Sequence, residues 1–193
     1  MTTKQKTALS TWTIDKTHSN VDFQVRHLMI STVRGHFRDF EGTLSIDEVL
    51  PENSSVSVTI DTASVDTNEP GRDAHLRSDD FFNAEAFPKM TFVSKRLERH
   101  GNTKFRLTGD LTIRDVTREV TLDGEFEGRI QDPWGNDRAA FSANAEISRN
   151  DFNVRWNQAL DTGGVVVADK VKIGLYVEAV KQSAPDDSVS TRE

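Results

Sequence analysis

The sequence predicts an all-β protein whose antiparallel strands close around one apolar interior. Three observations predict it. Apolar and polar residues alternate with period two through six segments, the pattern of strands with one buried and one solvated face. Glycines fall on the apolar side of the longest segments. The segments also follow one another across short turns, as in an up-and-down meander.

In chain order, Val21, Phe23, Val25, His27 and Met29 share one face, with Asp22, Gln24 and Arg26 opposite. Val56, Val58 and Ile60 alternate with Ser57 and Thr59. Phe105, Leu107, Gly109, Leu111 and Ile113 form the next apolar face. Val120, Leu122, Gly124, Phe126, Gly128 and Ile130 form another, against Thr121, Asp123, Glu125, Glu127 and Arg129. Ala139, Phe141, Ala143, Ala145 and Ile147 follow, and Val171, Ile173, Leu175, Val177 and Ala179 close the domain. Long one-sided strands must cover a shared interior, as a sandwich or a closed barrel. Gly109, Gly124 and Gly128 favour the barrel, because a curved sheet needs space or a kink on its inner face.

Two stretches break the alternation. Residues 68–87 read as a loop with a short helix that drops Leu76, Phe81 and Phe82 onto apolar surface; residues 150–169 carry Phe152, Trp156 and Gly163-Gly164. Both are suited to cover a barrel end. Residues 1–10 and 182–193 are polar and are expected to be disordered tails around one domain, 11–181.

The bulk numbers restrict function. The net charge is −7 over 193 residues, which disfavours nucleic acid as a partner. Cysteine is absent, which excludes disulfides, thiolate catalysis and Cys-ligated zinc. The opening residues contain no apolar run of signal-peptide length, so cytosolic residence is expected. The five histidines include no tight His-x-His or His-x3-His pair, so no metal site is expected. No nucleophile elbow or phosphate loop is present, and neither catalytic residues nor a cofactor are assigned.

A series of motifs carries a resemblance. Trp12-Thr13-Ile14-Asp15, His18-Ser19, Val21-Asp22-Phe23, His27-Leu28 and Val33-Arg34-Gly35-His36-Phe37 are followed by Arg72-Asp73-Ala74-His75-Leu76-Arg77-Ser78-Asp79-Asp80-Phe81-Phe82 and Phe87-Pro88. Gly109-Asp110-Leu111-Thr112-Ile113, Phe141-Ser142-Ala143, Ile147-Ser148-Arg149, Asp151-Phe152, Trp156-Asn157 and Thr162-Gly163-Gly164 complete it. In this order they resemble the YceI-like family over essentially the whole expected domain. The resemblance implies an extended eight-stranded antiparallel lipocalin-like β-barrel with short lid helices. It also implies a cavity for isoprenoid lipids, such as polyprenyl phosphates or quinone tails, or for related long-chain amphiphiles. Asp115 and Asn153 stand where the family often has glycine. Many members are exported, in contrast to the cytosolic expectation.

Phe23, Val25, Phe37, Phe92, Phe126 and Phe141 are the candidate walls of such a cavity, with Phe81 from the lid. His27 is polar on an apolar face and suits a quinone carbonyl or head-group hydroxyl; its alternative is a core histidine satisfied by a backbone group or a carboxylate. Asp80 is a candidate partner for His27 or a cap of the lid helix, and Arg34 and Arg149 are candidates for a phosphate head group. Three functions follow: a lipid carrier, storage or sequestering protein; a small enzyme using His27 and Asp80 on an apolar substrate; and an interaction module with a filled core. Monomer and homodimer remain open.

Overall fold

Alternation decides the architecture, because each strand has only one face to bury. The computed structural model describes residues 9–161 and 163–183. Its strands are β1 (Leu9–Ile14), β2 (Asn20–His27), β3 (Ser31–Phe37), β4 (Phe40–Asp47), β5 (Ser55–Asp61), β6 (Val65–Asp66), β7 (Lys89–His100), β8 (Lys104–Ile113), β9 (Val116–Gln131), β10 (Asp137–Ser148) and β11 (Val167–Lys181). Helix α1 (Pro70–Arg77) lies between β6 and β7. Eight strands form a closed antiparallel ring in the order β1-β4-β5-β7-β8-β9-β10-β11, with β11 returning to β1.

The remaining three lengthen the barrel. β11 pairs with β1 through Ala179–Lys181 and, further along, with β2. β3 pairs with β2 and β6, so β2-β3-β6 extends the sheet beyond the ring. Most of the expected tails, 1–8 and 184–193, lie outside the described residues. β1 nevertheless starts at Leu9, and Ser10 Oγ accepts the Trp12 indole N–H at 2.8 Å, so the folded part begins before residue 11.

Antiparallel register sorts the connections onto two ends. One end carries the β4–β5 loop, the β7–β8 turn and the β9–β10 turn. The other carries the β2–β3 turn, α1 and its following loop, the β8–β9 turn and the segment between β10 and β11.

Two expectations fail for a local reason. Ala140 pairs with Gly128 but the next residue, Phe141, pairs with Phe126, so β9 holds one extra residue there. A bulge of this kind inverts the alternation beyond it. Arg129 therefore borders the interior and Ile130, expected inside with Gly128, stands in solvent. Met29, expected on the apolar face of β2, lies in the turn after it with φ +61° and is exposed. Gly124 lies inside as expected: a Cβ there would come within 2.3 Å of the Phe105 ring, its cross-strand partner.

Candidate functional site

The barrel interior is hollow. Its cavity holds about 700 Å³, within the range of small-molecule sites. The walls are aliphatic and aromatic along most of the length, from Val56, Val58 and Leu111 on one side to Ile173, Leu175 and Val177 on the other. The filled-core expectation is thereby set aside.

The predicted wall residues Phe23, Val25, Phe37, Phe92, Phe126 and Phe141 all line this cavity, and so does the lid residue Phe81. Phe126 and Phe141 pack with ring centroids 5.4 Å apart, and Phe23 meets Phe37 at 5.7 Å. Trp12, Leu44 and Met90 line it too and were not singled out, and Phe105 lines it as its apolar face predicts. Trp12, Leu44 and Met90 follow the same period-two rule as Ile14, Ile46 and Phe92, and that was the available signal.

The two polar candidates stand elsewhere. His27 is the last residue of β2, half-buried at the strand end, and does not line the cavity. Asp80 is exposed and bonds His75 Nε2 at 2.8 Å, so the His27–Asp80 pair is not formed. The reason is topological. α1 presents His75 to the barrel end, where its ring meets Phe81 at 5.0 Å and Trp156 at 4.8 Å edge-on, and Asp80 follows that ring.

Arg149 borders the cavity but its guanidinium is engaged. It donates to the carbonyls of Ala168, Val154, Trp156 and Val167 at 2.8–3.2 Å and is only 6% exposed. Burial pulls its pKa down, with Asp169 opposing that effect. This arginine pins the covering segment to the barrel and offers little to a head group. Arg34 is exposed on β3.

Leu76, Phe81, Phe82, Phe152 and Val154 close this end. α1 is held by Glu69, whose carboxylate accepts from the N–H of Gly71 and Arg72, with Pro70 in the first turn. Arg114 joins the two covering segments by donating to the carbonyls of Phe81 and Asn153 at 3.0 and 3.2 Å. Asn153 takes a left-handed φ of +59°, a conformation asparagine tolerates where glycine was expected.

The opposite end is open and polar. Glu48, Arg99, Asn102, Thr103, Lys104 and Arg129 border the cavity there. Arg129 lies over the Trp12 ring at 5.0 Å and pairs with Glu48 at 3.3 Å and Asp137 at 2.9 Å. Lys181 also pairs with Glu48, at 2.7 Å, and holds its carboxyl below the usual range. Asp47 is fully buried, and its carboxylate accepts from the N–H groups of Val49 and Leu50, which fixes the β4–β5 loop.

Potential metal ligands converge outside the cavity. Asp15, His18 and Glu178 approach one another at the kink between β1 and β2, and the Arg138 guanidinium bonds Asp15 at 2.9 Å and Glu178 at 2.5 Å. A cation thus already bridges these carboxylates.

Comparison with known proteins agrees with the geometry. Protein YceI of Escherichia coli O157:H7 is 42% identical over 165 residues, covering 86% of this chain and 83% of that protein. Among solved structures, Burkholderia cenocepacia BcnA superposes with a TM-score of 0.75 at 27% identity, covering 86% of this chain and 98% of BcnA. A polyisoprenoid binding domain from Saccharophagus degradans shares the fold with a TM-score of 0.68 at 15% identity, covering 92% of this chain and all of that domain (100%). The YceI-like domain profile matches residues 12–179, and the chain belongs to the YceI-like family.

Proposed function

We propose that this protein binds one long-chain apolar lipid in the barrel interior, as a carrier, storage or sequestering protein rather than an enzyme. The ligand class is an isoprenoid, such as a polyprenyl phosphate or an isoprenoid quinone. The observation that carries this reading is a hollow interior of about 700 Å³ whose walls are apolar and whose polar residues gather mainly at one end. The description of the Saccharophagus domain as polyisoprenoid-binding is consistent with it.

The energetics are favourable. Burying a hydrocarbon gains about 0.8 kcal/mol per CH₂, so one isoprene unit contributes roughly 3–4 kcal/mol at best. Ordering and desolvation costs remove much of that sum for a long tail. The tail therefore supplies affinity, and the head group supplies orientation at the open end.

Organic extraction of the purified protein followed by mass spectrometry tests the ligand class directly. A fluorescent polyprenyl probe tests the cavity. Leu111→Trp places an indole in the void and is expected to lower affinity at least about tenfold while the protein stays folded. Phe141→Asp, a buried unpaired carboxylate, is expected to abolish binding or folding. His27→Ala lies off the cavity and should leave affinity within about twofold. Unchanged probe affinity in folded Leu111→Trp, together with no extractable lipid, would reject the reading.

A further inference from the structure

Four of the large apolar side chains that stand in solvent gather at the open end: Leu9, Val49, Ile130 and Trp134. Trp134 is 80% exposed and Ile130 69%. Neither position is a floppy tip. The Asp132 carboxylate accepts from the N–H of Trp134 at 3.0 Å, the N–H of Asn136 at 2.9 Å and Nε of Arg138 at 2.7 Å, so the β9–β10 turn is internally braced. Ile130 is turned outward by the β9 bulge described above.

The apolar tips share one rim. Arg129 and Glu48 form an ion pair between the base of that turn and the β4–β5 loop, and Ile130 and Val49 are the next residues of their strand and loop. Leu9 pairs with Asp47 beside the same loop. All of them surround the cavity mouth.

We propose that this end docks on a phospholipid bilayer, with Trp134, Ile130, Val49 and Leu9 entering the interface around the mouth. Tryptophan with aliphatic neighbours favours the boundary between head groups and acyl chains. Arg99 and Lys104, also at the mouth, form no ion pair among the described residues and are placed to meet lipid phosphates. The carboxylates at this end are largely engaged: Glu48, Glu98, Asp123, Asp132 and Asp137 by cations, Asp47 by its loop, and Glu125 and Glu127 by the hydroxyls of Thr103 and Ser142, while Glu52 forms no ion pair among the described residues.

The opposite end also shows apolar residues, Leu28, Met29 and Ile30, in the β2–β3 turn. It is closed, however, and its exposed carboxylates Asp79, Glu85, Asp115, Asp151 and Asp161 stand among the exposed cations Arg26, Arg34, Arg118 and Arg155, so no free cations are gathered at a mouth there. Docking at the open end rests on the proposed lipid cavity in one respect only, that the mouth then faces the membrane from which a ligand is taken or to which it returns.

Flotation of the full chain with vesicles of phosphatidylethanolamine and phosphatidylglycerol tests this. Wild type is expected to float, and vesicles with brominated acyl chains should quench its tryptophan emission. Trp134→Phe should remove most of that quenching, because Trp12 is buried within the barrel and Trp156 packs against His75 and Phe81 at the opposite end. Trp134→Ser combined with Ile130→Ser should weaken flotation at least about tenfold, whereas Met29→Ser with Ile30→Ser should leave it unchanged. Uptake of an ethanol-dispersed polyprenyl probe, measured without vesicles, separates the two readings. The Trp134/Ile130 variant should take up probe as wild type does. If wild type floats but takes up no probe, the lipid cavity fails and docking stands. Absence of flotation overturns the proposal. So does flotation that depends on Met29 and Ile30, or a Trp134-dependent dimer that does not float.

Discussion

At the closed end of the barrel, arginines hold backbone; at the open end, they meet carboxylates and solvent. Arg149 serves four carbonyls, Arg114 ties two covering segments together, and Arg77 donates to the carbonyls of Ala63 and Val65. At the open end Arg129 pairs with Glu48 and Asp137, while Arg99 and Lys104 pair with nothing among the described residues. Cationic residues of one barrel thus do opposite work at its two ends. Those at the closed end replace the hydrogen bonds that irregular backbone lacks when no sheet neighbour is available. At the open end Arg99 and Lys104 are left to meet whatever enters.

The largest expected effect breaks the closed end. Arg149→Ala leaves several buried carbonyls without donors and should cost about 3–5 kcal/mol. For a domain of this size that is a fall in thermal midpoint on the order of ten degrees. Arg149→Lys should recover only part of it, since one ammonium cannot span four carbonyls with a planar fork. Calorimetry on both variants decides. A midpoint within about two degrees of wild type for Arg149→Ala would place the anchoring elsewhere. Phe152→Ala, 2% exposed on the same side, should cost about 3 kcal/mol and widen the cavity toward α1.

Much of the barrel was legible in the sequence because period two is a property of each strand taken alone. Phe23 and Phe141 could be placed inside without knowing their neighbours. What a single strand cannot reveal is a pairing offset. The extra residue in β9 exists only relative to β10, so the reversal of Arg129 and Ile130 had no local signal. Side-chain roles at the ends were equally hidden. His27 and Asp80 have complementary polarity, but the partner of Asp80 is set by where α1 docks His75. Arg149 reads as any strand-end arginine until the carbonyls of Val154, Trp156, Val167 and Ala168 gather around it.

A smaller effect tests the Arg138 cluster, near the open end, by pH. Bonds from Thr17, His18 and Arg138 hold the Asp15 carboxyl well below its ordinary range, and those from Arg138 and Asn136 do the same for Asp132. A folded-state pKa below the unfolded one gives stability that is complete above the unfolded value and is lost as pH falls through the folded one. Acid below about pH 4 should therefore erode wild-type stability progressively. Arg138→Ala should be less stable at neutral pH and show a shallower acid loss. Chemical denaturation from neutral pH down to about pH 2 measures both slopes. Identical slopes would mean that Arg138 does not set these carboxyls.

The smallest effect is the most informative about the open end. Arg99→Ala and Lys104→Ala remove cations without ion-pair partners among the described residues, so folding should change by no more than about 0.5 kcal/mol in either case. If these side chains serve the mouth, the loss should appear instead in ligand handling. A probe carrying a phosphate head should bind Lys104→Ala several-fold more weakly than wild type, and a probe with the same tail and a neutral head should not. The two probes share every wall contact, so their difference isolates the charge. Equal affinities for both probes in wild type and variant would mean that the head group stays in solvent, and the polarity of the open end would then serve solubility alone. A destabilised Lys104→Ala would overturn the contrast from the other side, since the mouth would then be structural as the closed end is.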